Sequence, residues 1–204
     1  MVYFCGYSQA GATAGLVGVR AVNTTRSVTL PEGGQPFSAA ALIVNGGGDS
    51  PLSLGFGYAQ RAGALAGSFL WLRLRSAFGG AFSHSEQWLR PPGAGNHLYE
   101  AVLTPGSGTW VLRFDGSEIA YQQNSAWTGV AGLTVGFGGL VPYLEVPLLG
   151  TAAAPCRFQG LEIRARGDWQ PLPLSALTQA SLQAGTLTPV AGIDNGFDLA
   201  AKAS

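Results

Sequence analysis

The residues best suited by type to do chemistry include the chain's two histidines, His84 and His97. Nucleophilic catalysis by a serine needs a histidine base that a carboxylate orients. The segment Ser83-His84-Ser85 is not a G-x-S-x-G nucleophile turn, and nothing in the sequence places a carboxylate beside either histidine. We therefore expect no histidine-based triad, and we place both histidines at strand ends or in loops.

Glu145 is the carboxylate with the most unusual context, because it lies in the apolar segment 142–148, which we expect to be a strand that also presents Tyr143. A carboxyl group in apolar surroundings is a candidate general acid or base. It could equally pair with an arginine of a neighbouring strand, Arg73 or Arg113. Glycoside hydrolysis needs a second carboxylate about 5–10 Å away, and no motif supplies one, so we favour the structural interpretation.

The tryptophans are candidates for binding, since an exposed aromatic ring can stack on the apolar face of a sugar. Trp88 and Trp127 lie in segments that we interpret as loops. Trp71 shares a strand face with Arg73 and Arg75, opposite a face of leucines. Such a face is typical of an interface core, and it also suits a glycan-binding face or a second buried layer. These five residues are the predicted binding residues.

Metal and cofactor sites are not expected. The chain has two cysteines, Cys5 and Cys156, without a C-x-x-C pattern. They either form one disulfide between neighbouring strands or are two buried thiols. The acidic residues are few and scattered, whereas Ca²⁺ prefers several carboxylates. Asp49 and Asp115 are the candidate ligands, and Asp115 suits a turn better.

Strands must position these residues, because helical periodicity is nearly absent and short alternating runs are separated by Gly, Pro, Asn, Asp and Ser. Asp115-Gly116, between two alternating runs, predicts a hairpin. The expected strands are 16–22, 26–30, 38–45, 52–59, 68–75, 97–104, 109–115, 118–123, 132–137, 142–148 and 157–166. The expected core comprises Leu70, Leu72, Leu74, Trp110, Leu112, Phe114, Leu133, Val135, Leu161 and Ile163. We predict an all-β antiparallel two-sheet sandwich.

The pattern changes near residue 168, where small and polar residues become dominant. We expect one sandwich domain over 1–167 and a short C-terminal extension over 168–204 that packs on or beyond the sandwich. The extension has the pattern for one short helix near 174–183 and a last strand at 196–200.

Residues 97–166 resemble the concanavalin A-like or laminin-G jelly-roll sandwiches. The resemblance lies in HLYEAVLTPGSGTWVLRFDGSEIA, GLTVGFGG and FQGLEIRAR, which look like successive strands and turns of that superfamily. The resemblance implies a jelly-roll fold. It does not imply one function, because the superfamily contains lectins, glycosidases, peptidases and structural modules.

Two segments also resemble the glutamic, eqolisin-type peptidases. PLSLGFGY looks like the segment with their catalytic glutamine, and VPYLEVP looks like the segment with their catalytic glutamate. In that family the glutamate activates water and the glutamine helps to hold the oxyanion. Glu145 matches the glutamate, whereas Ser53 stands at the glutamine position. The resemblance therefore implies the fold and argues against the activity.

Composition narrows the function further. Charged residues make up 11% of the chain, and 11 basic residues balance 11 acidic ones. Such a chain has no basic field for nucleic acid, no apolar run long enough for membrane insertion, and no visible signal peptide. We expect a non-catalytic binding or structural module at a virion or extracellular surface, a homo-oligomer or part of a larger particle, with other subunits and glycans as partners. The alternative is an acid glutamic peptidase or a divergent glycan hydrolase.

Overall fold

The computed structural model describes residues 3–33, 36–46, 52–63, 66–78, 81–104, 106–130, 132–165, 167–180 and 185–202, with the side chains of 76–78, 81–84 and 129 excepted. Asp49 lies outside the described residues. Within the described part of the chain, no helix is long and apolar enough to cross a membrane.

Short strands account for most of the described chain. They are β1 Tyr3–Ser8, β2 Leu16–Thr24, β3 Phe37–Gly46, β4 Ser53–Arg61, β5 Gly67–Phe78, β6 Ala81–Trp88, β7 Asn96–Thr104, β8 Thr109–Phe114, β9 Ser117–Gln123, β10 Leu133–Val141, β11 Cys156–Ala165, β12 Asp168–Pro171, β13 Thr178–Ala180, β14 Gly185–Pro189 and β15 Phe197–Ala201.

These strands form two sheets. Sheet A has the order β13-β1-β10-β3-β4-β5-β6, and sheet B has the order β14-β15-β11-β2-β7-β8-β9, with β12 added beside β11. Neighbouring strands pair in antiparallel fashion in both sheets. The prediction of an all-β, two-sheet antiparallel sandwich is confirmed.

The core between the sheets follows from residue alternation. On β5, the even-numbered leucines point toward sheet B, and on β8 Trp110, Leu112 and Phe114 point toward sheet A. All of the expected core residues are buried except Ile163, which is half-buried and packs on the edge of the core. The predicted Asp115-Gly116 hairpin is confirmed, with φ angles of 49° and 78° that suit a tight primed turn.

Several expected elements differ from the structure. Residues 142–148 form a turn after β10, because Val146 donates a backbone hydrogen bond to Tyr143. Residues 26–30 belong to no strand. Where the structure describes the segment expected to be a helix near 174–183, it has a 3₁₀ turn at Leu174–Ala176 followed by β13, and residues 181–183 lie outside the described residues. Five strands were not predicted, β1, β6, β12, β13 and β14. The sequence of β1 lacks clear alternation, β6 is polar enough to resemble a loop, and the last three are short strands in the segment that we expected to be an extension.

The segment 168–204 is part of both sheets. The strand β13 pairs with β1 at an edge of sheet A, while β12 and β15 both pair with β11 in sheet B. The final strand expected at 196–200 is present as β15. The segment that we expected to be an extension therefore contributes strands to both sheets.

The two cysteines are buried thiols that form no disulfide, so the disulfide alternative is excluded. The Cys156 thiol donates to the side-chain oxygen of Asn23 at 3.1 Å and lies 3.2 Å from the carbonyl of Thr24. Burial raises the pKa of Cys156 to about 12.

Candidate functional site

The outer face of sheet A, which points away from sheet B, is the candidate site. Trp71, Arg73 and Arg75 alternate with the core leucines of β5 and therefore share this face, as predicted. Trp71 belongs to a second hydrophobic cluster, separate from the core between the sheets, in which it packs with Phe37 and Leu140.

Small residues on the central strands shape this face. Gly6, Gly138, Ala41 and Gly57 form one cross-strand row that leads to Trp71. A methyl group added at Gly138 would lie 2.8 Å from Cε2 of the Phe4 ring. A methyl group added at Gly55 would lie 3.0 Å from Cζ3 of the Trp71 ring. Because these glycines have no side chain, the Phe4 ring can lie close to the backbone at Gly138 and the Trp71 ring can lie close to the backbone at Gly55.

A groove of about 330 Å³ lies between these two aromatic residues. Its volume is at the small end of ligand clefts, which span about 300–1,000 Å³. Hydrocarbon and bare backbone line one part, and hydroxyl, amide and guanidinium groups line another. The lining residues are Phe4, Ser8, Ile43, Asn45, Ser53, Leu54, Gly55, Trp71, Arg73, Gly136 and Leu140.

Strand register brings the polar lining together. Asn45 of β3 pairs with Ser53 of β4, and Ser53 pairs with Arg75 of β5. Arg73 occupies the next outward position on β5, opposite Gly55. Neighbouring strands are about 4.8 Å apart, so the amide of Asn45, the hydroxyl of Ser53 and the guanidinium of Arg73 line one groove.

Arg73 is the partly buried cation of the groove. Its Nε lies 4.0 Å from Oε1 of Glu86 on β6. Burial lowers the pKa of the Arg73 guanidinium, Glu86 raises it, and the neighbouring Arg75 lowers it. Arg73 therefore carries a charge at a position where water is partly excluded.

Trp71 has a different place from that expected of a sugar-stacking ring. It is fully buried, its ring centroid lies 5.9 Å from that of Phe37, and Trp88 is its register partner on β6. Of the three interpretations that the sequence left open, a second buried layer describes Trp71. Trp71 lines one wall of the groove, so a ligand would contact only the part of the ring that faces this wall.

Trp88 ends strand β6 and does not lie in a loop. Its ring meets Phe37 and Phe69 edge-on, at centroid distances of 6.0 and 5.7 Å. The guanidinium of Arg61 lies 5.0 Å from the Trp88 ring centroid, a cation–π contact. Trp88 thus belongs to the aromatic cluster at the apolar end of the outer face.

Trp127 is remote from this face. It lies in the 3₁₀ helix Ser125–Gly129, which begins where the Asn124 side chain accepts a hydrogen bond from the Ala126 backbone N–H. Trp127 is 2% exposed and packs edge-on against Trp110, with centroids 5.4 Å apart. The structure therefore places it in the core, away from any ligand on sheet A.

The structure does not bring Glu145 and Ser53 together. Glu145 is exposed in the turn after β10, whereas Ser53 pairs with Asn45, which pairs with Thr134 near the start of β10. The length of β10 therefore separates the two positions, roughly 20 Å at about 3.3 Å per residue. The two arginines considered as partners of Glu145 pair elsewhere, Arg73 with Glu86 and Arg113 with Glu100 and Glu118.

A histidine–carboxylate pair was missed by sequence reasoning. His97 Nδ1 lies 2.8 Å from Oδ2 of Asp115, and its Nε2 lies 3.0 Å from the carbonyl of Gly93. The expectation that no carboxylate lies beside His97 is therefore wrong, because the β7–β8 hairpin brings the two together. Both ring nitrogens face oxygen atoms of the protein, an arrangement that fastens the loop before β7. The hairpin register was the signal that could have found the pair.

Metal coordination has no support in the described part of the chain. There, no three side chains of the His, Cys, Asp and Glu types lie close enough together to hold an ion.

Comparison with known proteins identifies the fold. No family model matches the chain, and no curated protein matches it. Among solved structures, scytalido-glutamic peptidase with a transition state analogue inhibitor superposes with a TM-score of 0.63 and 12% identity, covering 99% of this chain and 100% of that one. SCP-B, a member of the eqolisin family of peptidases, superposes with a TM-score of 0.60 and 11% identity, again covering 99% of this chain and 100% of that one.

The fold is a jelly-roll sandwich. The predicted jelly-roll fold is thereby confirmed, and so is the distant structural likeness to the glutamic peptidases. At this identity the likeness establishes the fold alone, so the function is argued from the groove.

Proposed function

We propose that the chain is a non-catalytic binding module that holds a saccharide in the groove on the outer face of sheet A. The observation that carries the proposal is the lining of the groove, where an apolar floor meets the hydroxyl, amide and guanidinium groups of Ser53, Asn45 and Arg73. A pyranose presents the same combination, because its C–H faces are apolar and its hydroxyl groups lie at the rim.

A peptide suits this groove less well. A peptide gains affinity when its backbone hydrogen-bonds to an unpaired sheet edge. The groove lies on a sheet face, where the central strands β10, β3 and β4 already pair with their neighbours. The polar atoms offered to a ligand therefore belong to side chains, which favours a partner rich in hydroxyl groups.

We propose that the module works at the surface of an assembled particle, a virion or tail component, or at another extracellular surface, together with further copies or other subunits. The support is compositional: the charged fraction is 11% and the net charge is zero, so neighbouring surfaces can associate with little desolvation of ions.

Binding of the purified protein to an array of oligosaccharides tests the proposed function. We expect binding to a defined subset, and a loss of at least tenfold in affinity for Asn45→Ala, since Asn45 is exposed in the groove. The matched control is Gln123→Ala, an exposed amide on β9 of the other sheet. An array without any binding, or equal losses in both variants, would contradict the proposal.

The peptidase alternative has its own test. Cleavage would need a base and a group that stabilises the oxyanion at one site, but the length of β10 separates the turn that contains Glu145 from Ser53 of β4. We expect no cleavage of a denatured protein substrate at acid pH. Cleavage that Glu145→Gln abolishes would move the chain to the glutamic peptidases.

A further inference from the structure

The outer face of sheet B, which points away from sheet A, carries apolar residues that the core does not use. Strand register places four of them side by side, Gly18 of β2, Val102 of β7, Val111 of β8 and Tyr121 of β9. Each lies next to a residue of the core or its edge in the chain, so alternation turns all four outward. Val102 and Val111 are half-buried and belong to neither hydrophobic cluster of the protein. We call this row the outer strip.

Aromatic rings lie at both ends of the outer strip. Tyr121 is 73% exposed, so most of its ring is open to solvent. At the other end, the half-buried Trp169 of β12 covers Gly18, where an added methyl group would lie 3.1 Å from Cη2 of the ring. The guanidinium of Arg20 lies 4.4 Å from the Trp169 ring centroid and holds the ring there by a cation–π contact. Three strand spacings of about 4.8 Å separate Gly18 from Tyr121, a distance of about 14 Å.

Hydrogen-bonding side chains border the outer strip on both sides. One border is a charged row in which Glu100 lies 2.8 Å from Arg113 and 3.7 Å from Arg20. The other border begins with Thr104 and Thr109, which are directly opposite each other on β7 and β8. An apolar strip with aromatic ends therefore lies between two rows of groups that can bind hydroxyls.

A cleft of about 400 Å³ opens beside the outer strip. Val102 lines the cleft together with Val17 of β2, Thr104 and Arg164 of β11. Nε of Arg164 donates a hydrogen bond to the carbonyl of Gly167 at 2.9 Å, which holds the guanidinium beside the cleft. The volume lies within the usual range of ligand clefts, about 300–1,000 Å³. The strip therefore has a cavity of ligand size next to its valines.

We propose that the outer strip is a second glycan site, which binds a linear oligosaccharide lying flat across the strands of sheet B. The C–H faces of successive sugar rings pack on Tyr121, Val111 and Val102, and the hydroxyl groups at the edges of the rings reach the two bordering rows. The site uses no residue of the groove in sheet A and adds to the proposed function. A module with sites on opposite faces of the sandwich gains avidity for a surface that displays many glycan chains.

A second copy of the chain is a less suitable occupant of this face. A stable protein interface buries about 800 Å² on each partner around an apolar centre. The outer strip is one residue wide, and the charged row beside it is already ion-paired within the chain. Its dimensions and its polar borders suit a narrow ligand with apolar faces and polar edges.

The length of the saccharide separates the two sites. A groove of about 330 Å³ accommodates a short saccharide, whereas the outer strip rewards a chain that reaches from one aromatic end to the other. Disaccharides and linear hexasaccharides of β-1,4-linked glucose, xylose, mannose and N-acetylglucosamine are titrated against the purified protein by calorimetry. For at least one of the four sugars we expect the hexasaccharide to bind at least tenfold more tightly than the disaccharide.

Tyrosine variants assign this gain to the outer strip. Tyr121→Ala should lower the affinity for the hexasaccharide at least fivefold and leave the affinity for the disaccharide within about twofold. Tyr121→Phe keeps the ring face and should stay within about threefold of the parent protein. The matched control is Tyr143→Ala, because Tyr143 is also an exposed tyrosine, at 62%, but lies in the turn after β10 of the other sheet. It should change neither affinity.

The outcomes separate the outer strip from the groove. Equal hexasaccharide affinities of the parent and Tyr121→Ala, or equal losses in Tyr121→Ala and Tyr143→Ala, would overturn the strip and leave the groove standing if Asn45→Ala still weakens binding. Binding that depends on Tyr121 and not on Asn45 would support the strip and contradict the groove. Binding of no saccharide would overturn both. Dimerisation in sedimentation experiments that Tyr121→Ala abolishes would identify a second copy as the occupant and overturn the glycan.

Discussion

At the scale of single residues, Gly138 shows how the groove depends on the absence of a side chain. It lies on β10 directly opposite Gly6 of β1. A Cβ at position 138 would collide with the backbone carbonyl of Cys5, and it would lie 2.7 Å from Cα of Gly6 and 2.8 Å from the Phe4 ring. The two glycines therefore allow the backbones of β1 and β10 to lie close together, and they also leave room for the Phe4 ring against the sheet.

We expect Gly138→Ala to lower the free energy of unfolding by about 1–3 kcal/mol, the usual cost of overpacking. The same variant should also weaken saccharide binding, because Phe4 must move. Chemical denaturation followed by intrinsic fluorescence measures the first effect. Gly11→Ala is the control, since a methyl group there meets no atom within 4 Å. Equal stability of the two variants would contradict the close approach of β1 and β10.

At the scale of elements, a row of alternating charges crosses five strands of sheet B. Strand register aligns Glu162 of β11, Arg20 of β2, Glu100 of β7, Arg113 of β8 and Glu118 of β9. Glu100, at the centre, is 8% exposed and lies between both arginines. Opposite charges in directly paired positions favour this register over a slipped one.

We expect Glu100→Gln to lower the free energy of unfolding by about 1–3 kcal/mol, because it removes the carboxylate shared by two partly buried guanidinium groups. Glu118→Gln, at the exposed end of the row, should cost less than about 0.5 kcal/mol. Urea denaturation of both variants and the parent protein measures the difference. Equal losses of stability in the two variants would mean that the buried carboxylate of Glu100 contributes no more than the exposed carboxylate of Glu118.

At the scale of the whole molecule, the two sheets enclose ionisable groups that must stay neutral. Burial raises the pKa of Cys156 from 9.0 to about 12, and burial also raises the pKa values of Tyr58 and Tyr99. In the unfolded chain the thiol ionises from about pH 9, whereas in the folded protein it remains protonated. Its contribution to stability is therefore fully present below pH 9 and is lost as the pH rises toward 12.

Between pH 8 and pH 10 we expect this thiol to account for a loss of about 1–1.5 kcal/mol in the free energy of unfolding, through the linkage of proton binding and folding. Urea denaturation at both pH values should show a smaller loss for Cys156→Ala than for the parent protein. Identical losses would show that the Cys156 thiol ionises freely in the folded state.

The sequence by itself determined the features that are local along the chain. The strand faces of β5 and β8 could be predicted, because successive side chains of a strand point to opposite sides whatever the partner. The Asp115-Gly116 turn could be predicted, because few residue pairs accept two positive φ angles. The shared face of Trp71, Arg73 and Arg75 follows from the same alternation.

Only the tertiary structure decided which distant residues meet. Phe37 of β3 and Trp88 of β6 bury Trp71, Asp115 lies against His97, and β10 separates Glu145 from Ser53. Each of these outcomes depends on which strands pair and in what register, and no single segment carries that information. The candidate groove is the clearest case, because its lining comes from five strands of sheet A that become neighbours only when the sheet forms.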